Sequence, residues 1–157
     1  MLKKAFVLVF FCVFCFGLMN FGFALQSAPD FRLETIDNNS VSLSNYRNFK
    51  SVLIMFWTTW CPYCLGQLEE MNKNYMKLTS GGVEILAINV GESVNKAGKF
   101  AKAHKLGYKV LLDRDSRVAN SYDVIGVPTY ILVNKEGEIA FTGNSYPHKE
   151  INKLISE

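Results

Sequence analysis

The chain has 157 residues, 49% of them hydrophobic and 20% charged. That is one domain's length with enough apolar side chains for a core, and it excludes a disordered polyelectrolyte. The formal charge is +3, but Lys3 and Lys4 supply two of those charges; past residue 24 the balance is only +1, and nothing in it calls for nucleic acid or an acidic partner.

Lys3 and Lys4 precede an apolar run from Ala5 to Met19, broken at Asn20 and resumed from Phe21 to Leu25. No acidic residue occurs before Asp30. A basic start followed by an apolar stretch is a targeting segment, separate from the soluble fold. Two forms of it stand. Gly22-Phe23-Ala24 offers small residues for signal-peptidase cleavage after Ala24. Alternatively, the 21 residues from Ala5 to Leu25 suffice to cross a bilayer as a helix, with the lysines on the cytoplasmic side. Either form makes residues 1–25 a signal or anchor and residues 26–157 the folded domain. It also puts that domain outside the cytoplasm, in a periplasm or at the outer face of the membrane, where disulfide chemistry operates. Cys12 and Cys15 lie inside the segment and count as small hydrophobes.

In the domain, Phe31–Thr35 and Val41–Leu43 flank the turn-rich Asp37-Asn38-Asn39-Ser40 and predict a β-hairpin. Tyr46–Phe49 reads as a short helical turn. Ser51–Trp57 is a continuous apolar run, the pattern of a strand buried on both faces. From Pro62 to about Thr79, the residues Leu65, Leu68, Met71, Tyr75 and Leu78 recur at steps of three and four, which predicts an amphipathic helix. Ser80-Gly81-Gly82 ends it. Val83–Val90 is a second apolar strand, and a helix follows Ser93 and ends near His104. Tyr108–Leu112 is a strand and Ser116–Tyr122 a short helix. Pro128–Val133 and Glu138–Phe141 are strands around the turn Asn134-Lys135-Glu136-Gly137, and a last helix begins at Pro147. Strands alternating with helices give an α/β fold: a central mixed β-sheet with helices on both faces.

Cys61 and Cys64 carry the chemistry. They follow a buried strand and open a helix, where free amides and the helix dipole favour an anion. A thiolate is the nucleophile of disulfide exchange, and placement at a helix start lowers a thiol's pKa. Cys61 is expected to be the exposed attacker. Cys64, one turn inside, is placed to resolve the mixed disulfide. A structural disulfide across so short a loop constrains the unfolded chain little. A zinc site lacks its ligands, since past residue 25 only Cys61, Cys64, His104 and His148 remain, without metal-like spacing. The exchange reaction calls for no metal or organic cofactor. Gly126-Val127-Pro128-Thr129 reads, by itself, as a loop proline before a strand.

Taken together, the strand, Trp60-Cys61-Pro62-Tyr63-Cys64, the helix and the later Val127-Pro128-Thr129 before a hairpin and final helix resemble the thioredoxin superfamily. Phe56-Trp57-Thr58-Thr59-Trp60-Cys61-Pro62-Tyr63-Cys64 is similar to the F-W-x-x-W-C-x-x-C of its TlpA/ResA/CcmG group. Residues 82–93, the N-terminal hairpin and a helix–strand insertion over about 93–112 fit the same group. The resemblance implies exported, commonly anchored reductases of protein disulfides, several serving cytochrome c maturation. It implies a cis Val127–Pro128 bond facing the cysteines. It further implies that Val127 pairs with an extended client segment, with Trp60, Tyr63, Ile125 and Val127 as an apolar docking rim. The partners it implies are an oxidised protein client, apocytochrome c among the candidates, and a membrane electron donor.

Two departures bear on mechanism. By that resemblance, Gln67 stands where close relatives often carry Glu, and Met55 where thioredoxin has a buried Asp. Gln67 hydrogen-bonds but cannot titrate, so the thiol of Cys64 is expected to lose its proton through water or to Cys61, with Glu69 and Glu70 read as residues of a solvated helix face rather than as replacements for the acid. Rivals remain. The same residues serve an oxidase or isomerase, because direction depends on a potential the motif does not encode. A redox-inactive binding module would use only the rim. Glutaredoxins share C-P-Y-C but not the export segment or the preceding Trp. A peroxiredoxin shares a similar N-terminal hairpin but needs a lone peroxidatic cysteine in a T-x-x-C setting, which this reading does not find.

Overall fold

The computed structural model describes residues 25–156. Residues 1–24, and with them nearly all of the predicted signal or anchor, lie outside that range. Seven strands form one sheet: β1 Arg32–Thr35, β2 Ser40–Ser42, β3 Ser51–Trp57, β4 Val83–Val90, β5 Lys109–Asp113, β6 Thr129–Val133 and β7 Ile139–Gly143. Their spatial order is β2-β1-β5-β4-β3-β6-β7. β3, β4 and β5 run parallel, while β6 lies antiparallel to β3 and β7 to β6. The helices are α1 Cys64–Ser80, α2 Val94–Ala103, α3 Arg117–Ser121 and α4 His148–Ser156.

β3 lies inside the sheet between β4 and β6, and all seven of its residues are apolar or small and buried. Its side chains alternate between two cores, as strand geometry requires. Leu53, Met55 and Trp57 pack with Leu68 and Met71 of α1 and Ile151 of α4. Val52, Ile54 and Phe56 pack on the other face with Val118, Ala119 and Tyr122. Helices therefore cover both faces, as the alternation of strands and helices predicts. The insertion α2–β5 extends the sheet beyond β4, and the β1–β2 hairpin covers the edge that β5 would otherwise expose.

Two buried polar side chains tie these packings together. The Tyr108 hydroxyl donates to the Leu68 carbonyl of α1 at 2.9 Å. The Asp113 carboxylate, fully buried at the end of β5, accepts from the Val118 and Ala119 amides at 3.2 and 2.8 Å. That carboxylate ties β5 to the first turn of α3, where free amides need a partner.

One local expectation shifts. The helical turn predicted at Tyr46–Phe49 is a 3-10 turn at Leu43–Tyr46. Arg47 leaves the helical path with ψ of 135°, and Asn48 takes a left-handed backbone with φ of 63°, so the turn ends before Phe49.

Leu53 is fully buried at the centre of β3. Leu53→Ala is expected to lower unfolding free energy by about 2–5 kcal/mol in urea titration, with the α/β circular-dichroism signature retained at low denaturant.

Candidate active site

β3 delivers the chain to its carboxyl end, and three residues, Thr58, Thr59 and Trp60, turn it toward α1. The Cys61 amide bonds the Thr58 carbonyl at 3.4 Å, and the Cys64 amide bonds the Cys61 carbonyl at 3.2 Å. Cys61 and Cys64 are joined as a disulfide, with Cα atoms 5.4 Å apart. α1 proper begins at Cys64, so Pro62 and Tyr63 form the turn between the cysteines and do not belong to the helix. Cys64 is thus the first helical residue, not a full turn inside. The first turn of α1 carries no acidic side chain and has no side-chain cap. Its positive end is left for the sulfurs.

The expected exposure of Cys61 needs correction. In the disulfide Cys61 is 6% exposed and Cys64 not at all. The reason is the loop opposite: the Cys61 sulfur lies 3.6 Å from the carbonyl oxygen of Val127. The Val127–Pro128 bond is cis, as the resemblance implied. Cys61 remains the outer sulfur of the two, but what stands open is the rim around it.

Trp60 and Tyr63 are 69% and 78% exposed, and Ile125 is fully exposed. Trp60, Ile125 and Val127 line one cleft of about 450 Å³, together with Thr58, Glu92 and Ser116. Tyr63 does not line it. The structure therefore gathers three of the four predicted rim residues on one side of the disulfide.

Gln67, one turn into α1, accepts a hydrogen bond from the Tyr130 hydroxyl at 3.0 Å. Burial is the main reason that the Tyr130 hydroxyl is pushed well above the usual phenol range, and nearby Tyr146 and Glu70 add to it. Tyr130 shares the core with Cys64. The Gln67 side-chain oxygen thus meets a neutral phenol. Glu69 is exposed, while half-buried Glu70 accepts from the Asn74 side chain at 3.0 Å.

Two site residues escaped the sequence reading. Asn144, just past β7, donates from Nδ2 to the Pro128 carbonyl at 2.7 Å and to Thr129 Oγ1 at 3.2 Å. Thr129 Oγ1 in turn donates to the Gly126 carbonyl at 2.7 Å. The loop facing the cysteines is therefore held at both ends. Glu92 lies in the turn after β4, where Gly91 takes φ of 70° and Ser93 caps α2. Its carboxylate takes four donors: the Thr59 amide and Asn89 Nδ2 at 2.7 Å on Oε2, and Thr59 Oγ1 at 2.7 Å and Lys96 Nζ at 2.6 Å on Oε1. Thr58 also stands three residues before Cys61, the T-x-x-C spacing of a peroxiredoxin, yet Cys61 is paired with Cys64.

Burial alone would raise the Glu92 carboxyl. Donation from Lys96, Asn89 and Thr59 overrides it and holds the group down at about 2. A folded-state value below the ordinary 4.5 stabilises the fold above the unfolded-state value, and that stabilisation is lost as pH falls through the folded one. The wild type is therefore expected to lose stability between about pH 4.5 and 2 more steeply than Glu92→Gln, measured by urea unfolding across that range.

Comparison with known proteins places this geometry. The model of the AhpC/TSA family matches residues 24–142. The thiol-disulfide oxidoreductase ResA of Bacillus subtilis is 34% identical over 145 residues, covering 88% of this chain and 80% of ResA. ResA of Geobacillus kaustophilus is 41% identical over 114 residues, covering 73% of this chain. That match spans just under two thirds, 65%, of the Geobacillus protein's own length. Among solved structures, StoA of Bacillus subtilis superposes with a TM-score of 0.67 at 26% identity, covering 82% of this chain and 96% of StoA. A thiol:disulfide interchange protein from Bacteroides superposes at 0.75 with 24% identity, covering 85% and 91%, a likeness of fold. The cysteine pair at the start of α1, the cis-proline loop against it and these relatives agree: the chain belongs to the AhpC/TSA family, and within it to the ResA-type thiol-disulfide oxidoreductases of thioredoxin fold.

Proposed function

We propose that this protein is an extracytoplasmic reductase of protein disulfides, recharged by a membrane electron donor and serving cytochrome c maturation. The observation that carries the exchange reaction is the Cys61 sulfur at the amide end of α1, 3.6 Å from the Val127 carbonyl. Placement outside the cytoplasm is supported by Lys3, Lys4 and the apolar stretch behind them.

In the reduced protein, the Cys61 thiolate attacks one sulfur of a client disulfide. A Cys61–client bond forms, and the client's other sulfur leaves as a thiolate. The Cys64 thiolate then attacks the Cys61 sulfur, closing the intramolecular disulfide and releasing the client's second thiolate. Two electrons pass to the client, and a dithiol donor returns them by the same steps in reverse order. The client docks as an extended segment along Val127, with its side chains over Trp60 and Ile125. That mode suits a disulfide in an unfolded chain, such as the haem-binding thiols of an apocytochrome c. Gln67 takes no proton, so the proton of Cys64 leaves through water or to Cys61.

Cys64→Ser removes the resolving sulfur and leaves the first step intact. Expressed with its native N-terminus in its own envelope, this variant is expected to accumulate covalent adducts on Cys61 that reductant releases and that mass spectrometry identifies as c-type apocytochromes. Recovery of no adduct would contradict the exchange reaction. Recovery of other clients alone would contradict the maturation role.

A further inference from the structure

We propose that Glu92 is a positioning residue for the exchange reaction: by gripping Thr59 it fixes the loop that presents Trp60 and Cys61 to a client. The inference rests on the exchange reaction proposed above, but on neither its client nor its compartment.

Between the end of β3 and Cys61 there are only three residues, and they differ in how they are held. Thr58 is buried, and its carbonyl accepts the Cys61 amide. Trp60 projects into solvent. Thr59, between them, is bound twice to one carboxylate, through its amide and through its hydroxyl, each at 2.7 Å. Two bonds from one residue to the two oxygens of a single carboxylate define an orientation as well as a distance. The orientation of Thr59 sets the direction in which Trp60 leaves the fold and the point at which Cys61 begins its turn.

Glu92 is itself immobilised. Asn89, directly across from Trp57 in the β3–β4 pairing, fixes Oε2 from the strand below. Lys96, in the first turn of α2, fixes Oε1. With all four donors in place the acceptor capacity of the carboxylate is filled. The grip therefore joins three elements: β4, the insertion helix α2 and the active-site loop. The arrangement also limits electrostatic cost. A lone carboxylate near Cys61 would oppose thiolate formation, whereas one neutralised by Lys96 opposes it much less. Glu92 also lines the cleft shared by Trp60, Ile125 and Val127, so the anchor sits directly behind the docking rim.

A positioning role predicts selectivity. A protein disulfide needs both the docking edge and the sulfur in register, while a small disulfide needs only the sulfur. The test uses the full-length reduced protein with insulin and with a small aromatic disulfide as substrates, and thermal melting as the control for folding. Thr59→Val keeps the shape and removes the hydroxyl bond. It is expected to lower kcat/KM on insulin by roughly threefold to tenfold, with less than about twofold change on the small disulfide. Glu92→Ala removes both bonds and is expected to cost roughly tenfold to a hundredfold on insulin. Glu92→Gln keeps one carbonyl oxygen for Thr59 and is expected to fall between Glu92→Ala and the wild type. Equal losses on both substrates, or unchanged insulin reduction in folded Thr59→Val and Glu92→Gln, would overturn the proposal. A wild type that reduces neither substrate would overturn the exchange reaction along with it.

Discussion

Everything in the site depends on the way β3 runs into α1. A strand that is buried along its whole length fixes a point and a direction at Trp57, and three residues later the chain must begin a helix whose amide end faces outward. Any group at that end feels the summed dipoles of a 17-residue helix. Here the groups are two sulfurs, and the first turn holds no carboxylate to compete with them. The same constraint places the attacking sulfur at the sheet's carboxyl edge, beside β6, whose leading residue is preceded by the cis-proline loop.

The two loops that meet at Cys61 come from distant parts of the chain, and each is held by a side chain outside the cysteine motif. Asn144 holds the loop that carries Val127 and Pro128. Glu92 holds the loop that carries Trp60. Both holds are hydrogen bonds of 2.7 Å. Their joint effect is geometric: they keep a sulfur and an extended backbone edge at a separation set by 3.6 Å between Cys61 Sγ and the Val127 carbonyl oxygen. The exposed apolar side chains around this point are affordable because they are few and gathered on one rim.

Much of this was legible in the sequence, and the reason differs by element. Ser51–Trp57 and Val83–Val90 coincide with the observed strands because a strand buried on both faces reads as a short, near-continuous apolar run, interrupted in the second only by Glu84 and Asn89. Cys61 and Cys64 were legible because strand, motif and helix are adjacent in the chain. The start of α1 was placed early, since Pro62 is compatible with a first helical turn and the periodicity does not separate a turn from a helix end. The burial of Cys61 was missed because the loop that covers it lies 66 residues away. Glu92 and Asn144 were missed for the same reason. Their partners are 33 and 16 residues distant, and nothing in local pattern distinguishes a gripping carboxylate or amide from a solvated one. The Gly91-Glu92-Ser93 turn between a buried strand and a helix cap was the available signal, and it marked a turn without marking a role.

The central claim is electrostatic: the fold stabilises a sulfur anion at residue 61. It is tested most directly by the pH dependence of Cys61 alkylation in the reduced protein, with Cys64 replaced by serine so that a single reactive thiol in the domain is followed. A midpoint clearly below the ordinary cysteine value of about 8.5 is the predicted result. A midpoint at that value, or a thiol that small alkylating reagents do not reach, would contradict it.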